Sequence, residues 1–312
     1  MLPLALSTCW NSSRHTDGAE MLREIRDMGF TRAELGHGVR YSLWPGVLDA
    51  IDEGVIEISS LHNFCPVPMG VMKPSPNCFE LTDPRPILRQ QAINATIETI
   101  HNAAKLEVPV VVMHLGHANP YGINRELEKL AARGKLYSRE YVAAKLKAVE
   151  LRRKLFPEVW ERLHESLLPI VEAAAKEGIK LGFENRERYE EFPSEEEFQT
   201  VLDAFPAETV GYWHDFGHAA RKEYLGWSDH RPSLERFAPR LIGCHVQDCL
   251  PPDEDHLGLG KGEVPFADLL PLVQAEAVPV LELAPSVSRE DVLASLELWK
   301  TLSCKISAAT PT

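Results

Sequence analysis

Short apolar runs recur along the chain about once per strand-plus-helix unit, each ending on a polar or acidic residue. Four of them read IKLGFEN (179–185), VGYWHDFGH (210–218), LIGCHVQD (241–248) and VPVLELAP (278–285), each followed by a helix-compatible stretch. Nearer the start, residues 4–10, 32–37, 55–64 and 108–116 read as strands, the last an all-apolar run of the buried parallel type. Helical character covers 17–28, where Gly29 marks the stop, and 84–106, with closing helices expected at 266–275 and 289–302. Eight strands alternating with helices predict the α/β class and a single (β/α)8 barrel. The prolines of HNFCPVP end the third strand and open a loop to Cys78 that is expected to overhang the barrel mouth.

The stretch 119–157 has helix-forming composition and no strand signal, with ten Lys and Arg against four Glu between 119 and 156. It reads as a helical insertion after strand four. Loops that follow barrel strands face the active site, so the insertion is expected to be a lid or subunit contact, or else a solvated excursion. One barrel domain is expected over 1–306, with 307–312 a disordered tail.

Composition narrows the function. The chain has 312 residues, 44% hydrophobic and 25% charged, which suits one large domain. A net charge of −13 argues against a broad nucleic-acid-binding face and for a small-molecule substrate. The six cysteines form no CxxC pair, which fits a reducing cytoplasm. The opening MLPLALSTCW lacks the basic leader of a signal peptide, and no apolar run reaches the ~20 residues that span a bilayer, so neither secretion nor a membrane anchor is expected.

Glu184, Asp215, His245 and Glu282 sit at the ends of the four later runs, 31 residues from the first to the second, then 30 and 37. A barrel of ~250 residues spends about 31 on each unit and places its active site at the carboxyl ends of the strands. The four are therefore expected to converge on one divalent ion, and carboxylates with one imidazole suit Mn, Mg, Co or Zn. His62 and His114 end strands three and four and are assigned to substrate binding or proton transfer. Arg186, two residues beyond Glu184, lies on the same side of an extended chain, where it could grip a hydroxyl, carboxylate or phosphate. Glu34 reads as an internal ion pair, Trp10 and Phe64 as core, and His37 and His117 as local loop histidines.

From MGFTRAELGH (28–37) to PVLELAP (279–285) the chain resembles the xylose-isomerase-like TIM barrel superfamily. That group holds sugar and sugar-phosphate isomerases and epimerases, inosose-processing enzymes and, more distantly, endonuclease IV. The resemblance implies a metal held by Glu184, Asp215, His245 and Glu282, and substrate contact by His218 of the DFGH tetrad. It implies a divalent-metal-dependent sugar or sugar-phosphate isomerase or epimerase, in which Glu184 and Glu282 remove and return a proton through a metal-stabilised enediolate. A keto-sugar or inosose lyase or dehydratase would use the same site.

The loop PPDEDHLGLGKGEVPF (251–266) resembles the family's acidic-x-His followed by a Gly-x-Gly turn, which assigns His256 to substrate and Glu254 to an additional metal. With His62, His114 and His218 these complete the nine-ligand set of endonuclease IV, so a multi-zinc phosphodiesterase is the remaining alternative. The strand-five motif ENRERYE and the acidic net charge weigh against it. No Arg follows His245 until Arg289, a departure from ketose 3-epimerases. The expected partner is a small carbohydrate, with no nucleic acid or membrane, and the insertion is the surface through which a homo-oligomer could pair.

Overall fold

The strands are β1 (Ala5–Ser7), β2 (Arg32–Leu35), β3 (Glu57–His62), β4 (Val110–Met113), β5 (Lys180–Glu184), β6 (Val210–Asp215), β7 (Leu241–Val246), β8 (Asp248–Leu250), β9 (Glu254–Leu257) and β10 (Val278–Leu281). All but β8 and β9 are parallel and close a barrel in the order β1-β10-β7-β6-β5-β4-β3-β2. The computed structural model describes residues 3–118, 122–252 and 254–309, with side chains through Cys304. The expected α/β TIM barrel is the fold of this chain. Its strands are buried on both faces because helices α1 (Gly18–Asp27), α2 (Trp44–Asp52), α3 (Pro86–Lys105), α4 (Ile123–Ala132), α5 (Arg139–Glu177), α6 (Glu195–Asp203), α7 (Phe216–Tyr224), α8 (His230–Phe237), α9 (Phe266–Leu269) and α10 (Arg289–Ala309) surround them.

Local chemistry sets the boundaries. Asp17 caps α1 by accepting from the backbone N–H of Ala19 at 2.7 Å and of Glu20 at 3.1 Å. Ser194 and Glu197 form a reciprocal capping box at the start of α6. Helix α5 runs for 39 residues from a Ser138 cap to Gly178, whose φ of 70° ends it. Its first turns and α4 build the insertion. Leu127, Leu130 and Ala131 of α4 pack with Tyr141 and Leu225 in a small separate core, and the Tyr141 hydroxyl donates to the Leu225 carbonyl at 2.8 Å. The insertion is thereby docked on the end of α7. Its first residues, 119–121, lie outside the described residues.

The barrel interior is filled by Ala5, Val110, Val112, Trp213 and Val280. Trp213 is the large member, and its ring fits because β5 and β7 each offer a glycine beside it. A Cβ on Gly182 would meet the indole at 3.0 Å, and one on Gly243 would overlap it outright. Trp213 lies two residues before Asp215, so it packs one layer beneath the strand ends.

Several boundaries differ from those read off the sequence. The first strand stops at Ser7, because the chain turns into a 3-10 segment at Ser12–Arg14. The expected helix at 266–275 is the single turn α9 followed by a 3-10 turn, Leu270–Leu272, where Pro271 lacks the N–H a longer helix needs. Helix α2 was not foreseen: its Trp-Pro-Gly start resembles a turn, yet the proline sits in the first helical turn. Helix α10 reaches Ala309, past the Ser307 at which the tail was expected to begin, and 310–312 lie outside the described residues. Among the described residues, no helix is long and apolar enough to cross a membrane.

Candidate metal and substrate site

Glu184 and Asp215 are the last residues of β5 and β6, His245 is the penultimate residue of β7, and Glu282 directly follows β10. These four strands are consecutive around the barrel, so their mouths converge. One donor atom from each of the four residues lies within 4.8 Å of the others, and all four side chains are buried. His245 Nε2 faces Glu34 Oε2 at 3.3 Å, and that same oxygen accepts from the Ser60 hydroxyl at 2.8 Å. With Nε2 on Glu34, His245 Nδ1 faces three carboxylates: Glu282 at 3.2 Å, Glu184 at 3.3 Å and Asp215 at 3.9 Å. One imidazole converging with three carboxylates is a donor set that suits a hard or borderline divalent ion.

The surroundings hold each of the four side chains in place. Asp215 Oδ1 caps α7 by accepting from the backbone N–H of His218 at 2.7 Å, and Asp215 Oδ2 accepts from the Gln247 amide at 2.8 Å. Glu184 is contacted on one oxygen by Nε2 of His114 at 3.0 Å and of His62 at 3.3 Å. On the other it meets His218 Nδ1 at 3.2 Å and Arg186 Nη1 at 3.4 Å. Burial alone would push the Glu184 carboxyl up, but the imidazoles of His114 and His245 outweigh it and hold the group well below the usual carboxylate range. Burial would likewise push His245 down, and the carboxylates of Glu282, Glu34 and Glu184 overturn that, raising it well above the ordinary histidine value. Burial pushes the Asp215 carboxyl up.

A cavity of about 690 Å³ opens at this end of the barrel, walled by Glu282, His62, His114, Arg186, His218 and His256 among others. Pro74, Pro76 and Asn77 of the loop after β3 overhang it. The Asn77 amide oxygen contacts His114 Nδ1 at 2.9 Å. Arg186 is buried and held by Glu191 at 3.0 and 3.2 Å, which aims its guanidinium into the cavity. His256 comes from the β8–β9 hairpin, where a φ of 53° turns its side chain toward Glu282, 3.7 Å away.

Nine of the ten residues singled out from the sequence meet here. Glu254 does not: it is exposed on β9 and joins none of the buried groups. The backbone turn at His256 interrupts strand alternation, and the neighbouring acid Asp255 is the one that contacts His256, at 2.9 Å. Glu34 carries the His245 imidazole rather than a simple internal ion pair, and Gln247, Asn77 and Glu191 were not anticipated. His37, read as a local loop residue, lines the cavity together with Cys9. Trp10 and Phe64 are core residues, and the Trp10 indole donates to the Val287 carbonyl at 2.9 Å.

The fold is shared with proteins of known structure. No curated protein matches the chain significantly. Among solved structures, a D-tagatose 3-epimerase-like protein superposes with a TM-score of 0.71 at 18% identity, covering 99% of each chain. The 3-keto-D-glucoside 4-epimerase YcjR from E. coli gives a TM-score of 0.64 at 14% identity over 96% of this chain and 100% of its own. D-psicose 3-epimerase, solved in the presence of D-fructose, gives 0.63 at 13% identity over 97% and 99%. The family model for the xylose isomerase-like TIM barrel matches residues 22–298, and the chain belongs to that family.

Proposed function

We propose that this chain is a divalent-metal-dependent sugar isomerase or epimerase that moves a proton beside a carbonyl. The observation that carries the reading is the convergence of Glu184, Asp215 and Glu282 on Nδ1 of His245 at the floor of a sugar-sized cavity. Resemblance in fold to epimerases supports it. A bound divalent ion would supply Lewis acidity at the substrate carbonyl. Glu184 and Glu282 hold carboxylate oxygens at the reacting centre and are assigned the removal and return of the proton on the adjacent carbon.

His62, His114, His218 and His256 wall the cavity with imidazoles suited to hydroxyl recognition, and Arg186 offers a fixed cation to a hydroxyl or an anionic group. A lyase differs only in the step after proton loss, so a substrate with a leaving group β to the carbonyl would be cleaved on the same residues. One observation favours multi-zinc phosphodiester chemistry instead: His62, His114 and Glu184 also bring donor atoms within 4.8 Å of one another. The exposed Glu254 leaves that larger cluster short of a ligand.

The test is a screen of keto-sugars, inososes and 3-keto-glycosides in deuterated water with manganese-, cobalt-, magnesium- or zinc-loaded protein. Solvent deuterium should enter the carbon next to the carbonyl, and Glu184→Gln and Glu282→Gln should each lower that rate by about 10²–10⁴-fold. Full exchange activity in either variant would refute the assignment, and cleavage of abasic DNA with no sugar turnover would favour the phosphodiester reading.

A further inference from the structure

The geometry points to a second metal site, made of Cys9, His37 and Glu282, that takes a thiophilic divalent ion such as zinc, cobalt(II) or cadmium. Cys9 follows β1, His37 follows β2 and Glu282 follows β10, three strands that stand side by side in the barrel. The proposed quartet uses the adjoining arc from β5 to β10, so Glu282 stands where the two arcs meet. Donor atoms of Cys9, His37 and Glu282 lie within 4.8 Å of one another, with Cys9 Sγ 3.5 Å from His37 Nδ1.

The trio is pre-positioned. The Gly36 backbone N–H donates to the Thr8 hydroxyl at 2.8 Å, which ties the ends of β1 and β2 together beside Cys9 and His37. Gly36 also leaves the space the thiol occupies, since a Cβ there would overlap Cys9 Sγ. All three residues line the cavity, and among the described cysteines Cys9 alone does so. One sulfur, one imidazole and one carboxylate, with an open fourth position toward a cavity, form a ligand set for a tetrahedral, catalytic-type zinc site. Thiolate separates this site from the quartet by preference, because sulfur selects softer ions than carboxylates do. Coordination replaces the S–H proton by the ion, and that proton leaves to solvent.

Cobalt(II) titration of metal-stripped, full-length protein reads the site directly, because only a thiolate ligand gives a near-ultraviolet sulfur-to-cobalt charge-transfer band. Wild type should develop the band, and Cys9→Ser should lose it entirely together with one cobalt per chain. Glu184→Gln, which disables the quartet, should retain the band, so failure of this site and failure of the sugar-enzyme reading are separable. No band in wild type at saturating cobalt, or an undiminished band in Cys9→Ser, would overturn the proposal. If Cys9→Ser does not fold, Cys9→Ala takes its place with the same expected loss of the band.

Discussion

Arg152 on α5 should be among the costliest single side chains to remove outside the barrel. It is 3% exposed and grips the Glu197 carboxylate with a two-pronged pair of hydrogen bonds at 2.8 and 2.5 Å. It also donates to the carbonyls of Tyr189 and, at 3.0 Å, of Glu191. Truncation leaves a carboxylate and two carbonyls without their donor, and breaking a buried pair costs about 3–5 kcal/mol. Glu197 keeps the Ser194 N–H at 2.9 Å and its side chain is 12% exposed, so some rehydration places Arg152→Met near the lower end, about 3 kcal/mol. Arg152→Lys keeps the charge but not the fork and should lose about 2 kcal/mol. The assay is equilibrium urea unfolding at neutral pH, run as a cycle with Glu197→Gln. That second change removes the stranded charge and should restore part of the loss in Arg152→Met. A loss under about 1 kcal/mol in Arg152→Met would refute the reasoning, because the 189–191 segment would then be held by something else.

Gly243→Ala should destabilise by about 1–3 kcal/mol through overlap with Trp213, and Trp213→Phe in the same chain should recover part of it; thermal unfolding of the three proteins decides. Glu191 supplies a pH test: burial raises its carboxyl but the Arg186 guanidinium outweighs that and holds it at about 2. A depressed folded value gives stability that is complete above the unfolded carboxylate range and lost as pH falls toward 2. Glu191→Gln should therefore be less stable than wild type by roughly 3 kcal/mol above pH ~5, with the gap closing toward pH ~2 in metal-stripped protein. A pH-independent gap would contradict the Arg186–Glu191 pairing. Adding manganese, which the thiol-containing site does not favour, at about 100 times its dissociation constant should stabilise the chain by about 2.7 kcal/mol, an increment that Glu184→Gln should largely abolish in calorimetry.

The barrel and its ring of buried acids and histidine could be read from the sequence because four apolar runs end on Glu184, Asp215, His245 and Glu282, and the spacing between runs is that of a repeated unit. The contacts between distant positions could not. Glu34 meets His245 from 211 residues away, and no periodicity in β2 announces that contact. Helix α2 hid behind its Trp-Pro-Gly start; Gly46 is needed there because a Cβ would press within 2.7 Å of the Ala19 backbone nitrogen on α1. Glu254 was assigned through the acidic-x-His resemblance, but it is exposed, and it is the adjacent Asp255 that contacts His256. The β8–β9 hairpin was missed because its strands are three and four residues long.

Trp213 gives the site a closed floor, its ring centre 5.2 Å from that of His245. Beneath the four proposed ligands lies packed indole and valine, so an ion has no exit toward the barrel's other end. A bound ion would have to pass Glu282 and the cavity above it, the same route the proposed sugar would take. Occupancy of the cavity should then act as a stopper: chelator should strip a loaded ion more slowly while a tight-binding sugar is present, and Trp213→Ala should weaken that protection.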